Sequence, residues 1–105
     1  MFTVINELTV APENRDTFER NFTASLRGTL PGVPGLRVAR LLAPQEPDRP
    51  YLSILEFIDE PAYSAYRASA AFHAAHAWPD HAPIDGARVT TYRTTATVTE
   101  SHSAD

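Results

Sequence analysis

Phe2-Thr3-Val4-Ile5-Asn6-Glu7-Leu8-Thr9-Val10, followed at once by Ala11-Pro12-Glu13-Asn14-Arg15, decides how this chain begins to fold. Alternation places Phe2, Val4, Asn6, Leu8 and Val10 on one face and Thr3, Ile5, Glu7 and Thr9 on the other, the period-2 pattern of a half-buried strand. Pro12 suits a first helical turn and Glu13 favours its positive end. Phe18, Phe22, Leu26 and Leu30 then recur every four residues as a buried stripe, which predicts a helix to about Leu30. Pro31-Gly32-Val33-Pro34-Gly35 cannot continue it.

Working outward, Leu36 to Ala43 and Tyr51 to Ile58 read as two strands of an antiparallel hairpin across the turn-rich Pro44 to Pro50. Asp59 is a good N-cap and Pro61 fits the first turn of a second helix, with Tyr63, Tyr66 and Ala70 on one face. Ser69 offers a cap for a continuing or re-initiated turn that carries Phe72, Ala75 and His76 before Trp78-Pro79 ends it. Arg88 to Thr99 has strong β character, and Glu100 to Asp105 reads as a disordered polar tail. The order is β-α-β-β-α-β, the split-βαβ pattern of a ferredoxin-like α+β fold, in a single domain over residues 1–99. Helices cover one face of the sheet. The other, carrying Ile5, Leu41 and Ile54, would be left open in a monomer, which predicts a homodimer built sheet to sheet.

Composition narrows the function classes. At 105 residues the chain buries only about two-thirds of its unfolded surface, so a partner subunit is expected to close any large apolar face. The formal charge is −4, all nine basic residues are Arg, and no basic run stands out, so no footprint for nucleic acid exists. Lysine Schiff-base chemistry and the P-loop lysine are excluded, and with no Cys there is no thiolate nucleophile, disulfide or thiolate-held metal. No apolar stretch approaches the roughly 20 residues of a membrane span, and Met1-Phe2-Thr3-Val4 lacks the design of a secretory signal. A cytoplasmic protein without membrane contact is expected.

Asn6 is the polar intruder on the face that should meet the helices. Unmet, its amide would cost roughly 1–3 kcal/mol, so it either bonds neighbouring backbone or awaits a ligand. His76, one turn after Phe72, should point inward among apolar groups, either as a satisfied core residue or as an iron ligand or acid–base group. His73 and His76, with His81 beyond, match zinc spacing only loosely. Tyr63 and Tyr66 fit core aromatics, Trp78 a lid or packing plug, and Arg67 a solvated helix position. Asp59 and Glu60 are explained by the helix start, and with Glu56 they form no convincing acid–base pair.

Asn6 in the first strand, the βαββαβ order, and Tyr66-Arg67-Ala68-Ser69-Ala70-Ala71-Phe72-His73-Ala74-Ala75-His76 together resemble the antibiotic-biosynthesis monooxygenase superfamily over nearly the whole chain. The similarity is greatest to the IsdG-type haem-degrading monooxygenases, whose second helix reads Trp-x-x-Ser-x-x-Phe-x-x-Ala-His. Ser69, Phe72, Ala75 and His76 match that signature, and Tyr66 stands in place of its Trp. The resemblance implies a dimeric α+β barrel with haem between the second helix and the sheet. His76 would be the axial iron ligand, Asn6 would hydrogen-bond oxygen at the iron, and Tyr66, Phe72, Phe22 and Arg67 would complete the site. It also implies dioxygen and an external reductant, with a reductase as a candidate partner. Other branches oxidise polyketide anthrones or phenols to quinones with no cofactor. A non-catalytic haem-binding dimer is the third reading.

Overall fold

The computed structural model describes residues 1–29, 31–70, 72 and 86–99. Among the described residues, four strands form one antiparallel sheet: β1 (Phe2–Thr9), β2 (Leu36–Leu42), β3 (Tyr51–Phe57) and β4 (Gly86–Arg93), in the order β2-β3-β1-β4. Helices α1 (Arg15–Thr29) and α2 (Glu60–Arg67) lie on one face, and α1 is entered through a 3₁₀ turn at Pro12–Asn14. This is the ferredoxin-like α+β arrangement.

The helix side holds two apolar clusters. Phe18 and Phe22 of α1 bury against Leu8, Val10 and Tyr51, with Leu26 and Leu41 packed at the margin. Val4, Phe57 and Tyr66 form the second, flanked by Phe2, Leu36, Tyr63 and Phe72. The four-residue stripe of α1 therefore faces the sheet as its spacing requires; its last member, Leu30, lies outside the described residues. The start of α2 is fixed twice. Asp59 Oδ1 accepts from the Ala62 N–H at 2.9 Å, and the Ile58 N–H donates to the Gly35 carbonyl at 2.9 Å. Gly35 has φ +79°, and a Cβ there would stand 2.6 Å from Ala62 Cβ, so only glycine lets the turn before β2 lie against α2.

Three expectations are corrected. Leu41 was expected on the open face, yet it opposes Ser53 and packs against the Phe18 cluster. The reason is a register shift between Leu36 and Val38: one extra residue at Arg37 flips the remainder of β2, so Val38, Arg40 and Leu42 face the open side. Ile5 and Ile54 do oppose one another there. The last strand spans Gly86–Arg93 rather than Arg88 to Thr99, and residues 94–99 are exposed and outside the sheet. Finally, α2 ends at Arg67 with Ala68 as C-cap, so Ala70 is exposed rather than sharing the buried face of Tyr66.

Candidate functional site on the helix side of the sheet

Strand register sets the floor of the site. One row across the helix side reads Leu41, Ser53, Asn6, Val89, because Leu41 opposes Ser53, Ser53 opposes Asn6 and Asn6 opposes Val89. The two middle members are polar, while the rows on either side are apolar at Val4–Leu55 and Leu8–Tyr51. Asn6 Oδ1 is buried with no hydrogen-bond partner among the described residues. Such an acceptor costs about 1–3 kcal/mol, which a merely structural asparagine would avoid by bonding its neighbours. Ser53, only 7% exposed, was not anticipated; a hydroxyl on the buried face of a strand whose one charged residue, Glu56, takes the opposite face was the available signal.

Aromatic walls flank that floor. Along β1 the residue before Asn6 on its face is Val4, packed in the cluster of Tyr66, and the residue after it is Leu8, packed in the cluster of Phe22. Tyr66 is 3% exposed and meets Phe72 edge-to-face at a centroid distance of 5.4 Å. Ser69 joins the two: its Oγ donates to the Tyr66 carbonyl at 2.6 Å and accepts from the Phe72 N–H at 3.2 Å. That is the expected cap, and it restarts the helix after α2 stops. Burial first, and then the neighbouring Tyr63 phenol, raise the Tyr66 hydroxyl above its ordinary value, so it stays a neutral donor at physiological pH. On the β4 side Val89 is 55% exposed, an apolar surface open beside the unpaired amide oxygen.

The expected site residues thus divide. Asn6, Tyr66, Phe72 and Phe22 share one side of the sheet, around one row. Arg67 does not join them: it is exposed, with its guanidinium 5.9 Å from the ring of Tyr63, which packs on Phe2 and Phe57. Tyr63 thereby belongs to the outer end of that cluster. All four histidines, His76 included, and Trp78 lie outside the described residues. Among the described residues no group of His, Asp and Glu could hold a metal ion. Glu56 is engaged on the open face by Arg40 at 2.9 Å, consistent with a structural role.

The antibiotic biosynthesis monooxygenase family profile matches residues 1–78, most of the chain. The chain belongs to the antibiotic biosynthesis monooxygenase family. Solved structures agree on the fold. A point variant of MhuD with two manganese protoporphyrin IX molecules per active site superposes with a TM-score of 0.83 at 19% identity, over 95% of this chain and 100% of that one. The haem-degrader MhuD from Mycobacterium tuberculosis, with two haems in its active site, gives 0.81 at 18% identity over 94% and 100%. A provisionally assigned antibiotic biosynthesis monooxygenase from Caulobacter crescentus gives 0.75 at 18% identity over 90% of each chain. No curated protein sequence matches. Within this family the monooxygenase fold is what the identities establish, and no described helix is long and apolar enough to cross a membrane.

Proposed function

We propose that this family member is a haem-degrading monooxygenase that takes haem as its substrate on the helix side of the sheet, with dioxygen and an external reductant. The observation that carries the reading is the buried Asn6 amide, its Oδ1 unpaired among the described residues, which with Ser53 makes the one polar spot on an apolar floor, beside exposed Val89 and between aromatic walls. A flat macrocycle needs apolar area for its faces and a few placed polar groups. Val4, Leu8 and Val89 supply the area, Tyr66 and Phe72 a wall, and the Asn6 Nδ2–H group, rather than its unpaired oxygen, a donor where negative charge would develop. In a dry pocket such a group contributes a few kcal/mol to rate. Haem, when bound, supplies the redox centre. His76 is the proposed iron ligand, on the motif resemblance alone. Porphyrin-bound MhuD of the same fold supports the substrate class. We further propose a cytoplasmic homodimer closed through the open sheet face, where Ile5 opposes Ile54 and Leu42 and Tyr92 are exposed.

Hemin titration followed by ascorbate under air tests the reading. A Soret shift and then loss of that band is expected for the parent, with the shift abolished in His76→Ala. An unchanged shift in His76→Ala, with loss in His73→Ala, would move the ligand.

One observation favours a second reading. The unpaired atom of Asn6 is an acceptor, which suits the hydroxyl of a phenolic or anthrone substrate oxidised to a quinone without cofactor. Oxygen uptake with an anthrone, in metal-free buffer and with no response to hemin, would select it.

A further inference from the structure

We infer that Ser53 is a positioning residue for Asn6: when a ligand covers their row, the Ser53 hydroxyl turns to donate to Asn6 Oδ1 and holds the amide with its Nδ2–H toward the ligand. The inference rests on the haem reading and deepens it by one residue.

Asn6 and Ser53 are register partners on one face of the sheet, which sets their Cβ atoms about 4.5–5.5 Å apart. Asn6 Oδ1 is a buried acceptor with no partner among the described residues. The Ser53 hydroxyl bonds no described residue either, yet its oxygen, like Asn6 Nδ2, is not closed off from open space as Oδ1 is. A donor without an acceptor thus stands across from an acceptor without a donor. Of the other strand hydroxyls on this side, that of Tyr51 donates to Glu19, and Thr91, diagonal to Asn6, stands on the exposed rim of β4. Ser53 is the buried hydroxyl directly opposite.

A ligand makes the bond necessary. In the open site water can reach the Ser53 hydroxyl, but an apolar face laid across Val4, Leu8 and Val89 removes that water and would leave two unmet polar groups side by side. One rotation about the Ser53 Cα–Cβ bond satisfies both, because a serine hydroxyl moves between staggered positions with no change of backbone. A donor at Oδ1 fixes which way the amide points, and it polarises the group so that Nδ2–H becomes the stronger donor. Ser53 acts through Asn6 rather than on the reacting atoms.

Full-length Ser53→Val and Ser53→Thr, which share a shape and differ in the hydroxyl, are compared with the parent and with Asn6→Val; Ser53→Ala repeats the deletion without added bulk. Each is loaded with hemin. Soret titration gives affinity, single-turnover spectra with ascorbate give the rate of haem loss, and after reduction under carbon monoxide the C–O stretch reports a donor at the bound gas. Affinity should hold throughout. Ser53→Val and Ser53→Ala should lose roughly tenfold in rate and move the stretch toward the Asn6→Val value, while Ser53→Thr keeps both near the parent. Added to Asn6→Val, Ser53→Val should change neither rate nor stretch further. Parent behaviour in Ser53→Val, equal losses in Ser53→Val and Ser53→Thr, or an undiminished effect in the Asn6→Val background overturns the positioning role and leaves haem degradation standing. A parent that binds no hemin overturns both.

Discussion

The hydroxyl of Tyr51, a residue of β3 only 1% exposed, donates to the Glu19 carboxylate on α1. The Arg15 guanidinium lies 5.5 Å from the same ring and donates to the loop carbonyls of Pro47 at 2.8 Å and Arg49 at 3.4 Å. One tyrosine thus links a central strand, the first helix and the β2–β3 loop. Burial, followed by the hydrogen bond to Glu19 and its charge, pushes Tyr51 from 10.0 up to about 12. A folded value above the unfolded one means that the stability it contributes is complete below about pH 10 and disappears as pH rises through about 12. Urea midpoints from pH 8 to 12 should therefore fall more steeply for the parent than for Tyr51→Phe. Parallel curves would refute the linkage.

Gly35→Ala should be among the most damaging single-methyl additions in the chain. Positive φ costs about 1–2 kcal/mol for an L-residue, and the contact with Ala62 adds an overpacking cost of about 1–3 kcal/mol. Gly32→Ala is the control: φ is +86° but no atom lies within 4 Å of the added methyl. Equilibrium urea unfolding should show Gly35→Ala losing roughly twice as much as Gly32→Ala, and equal losses would contradict the close approach.

Replacing Asn6 separates a structural amide from a functional one. Asn6→Val removes an unpaired buried acceptor and inserts a good strand former, so unfolding free energy should rise by about 1 kcal/mol. Turnover with hemin and ascorbate should fall a hundredfold or more while hemin affinity holds. A loss of stability would instead reveal a structural bond to Asn6.

Tyr66→Trp tests the residue that departs from the haem-degrading signature. Since Tyr66 is buried against Phe57 at a centroid distance of 5.6 Å, the larger indole should cost about 1–3 kcal/mol of stability. Hemin affinity should hold and the rate of haem loss should rise, because greater contact distorts the ring more. Single-turnover spectra measure the rate, and an unchanged rate at retained affinity would sever Tyr66 from the chemistry.

Much of the architecture was legible locally. Period-2 alternation put Asn6 on the helix side without any tertiary information, because the pleat alone determines which face a residue takes. Asp59 and Ser69 could be read as caps for the same reason: each hydrogen bond closes within three residues.

What the sequence by itself determined is therefore the βαββαβ order, the facing of β1 and the family motif around Tyr66 and Phe72. Only the tertiary structure decided the bulge at Arg37 that turns Leu41 inward, the place of Ser53 beside Asn6, and the end of β4 at Arg93. Each of these depends on which strand lies alongside, and a strand's neighbours are many residues away in the chain. Residues 94–99 make the point from the other side: their β-branched composition states a preference for a ladder, but a ladder forms only where another edge offers its hydrogen bonds.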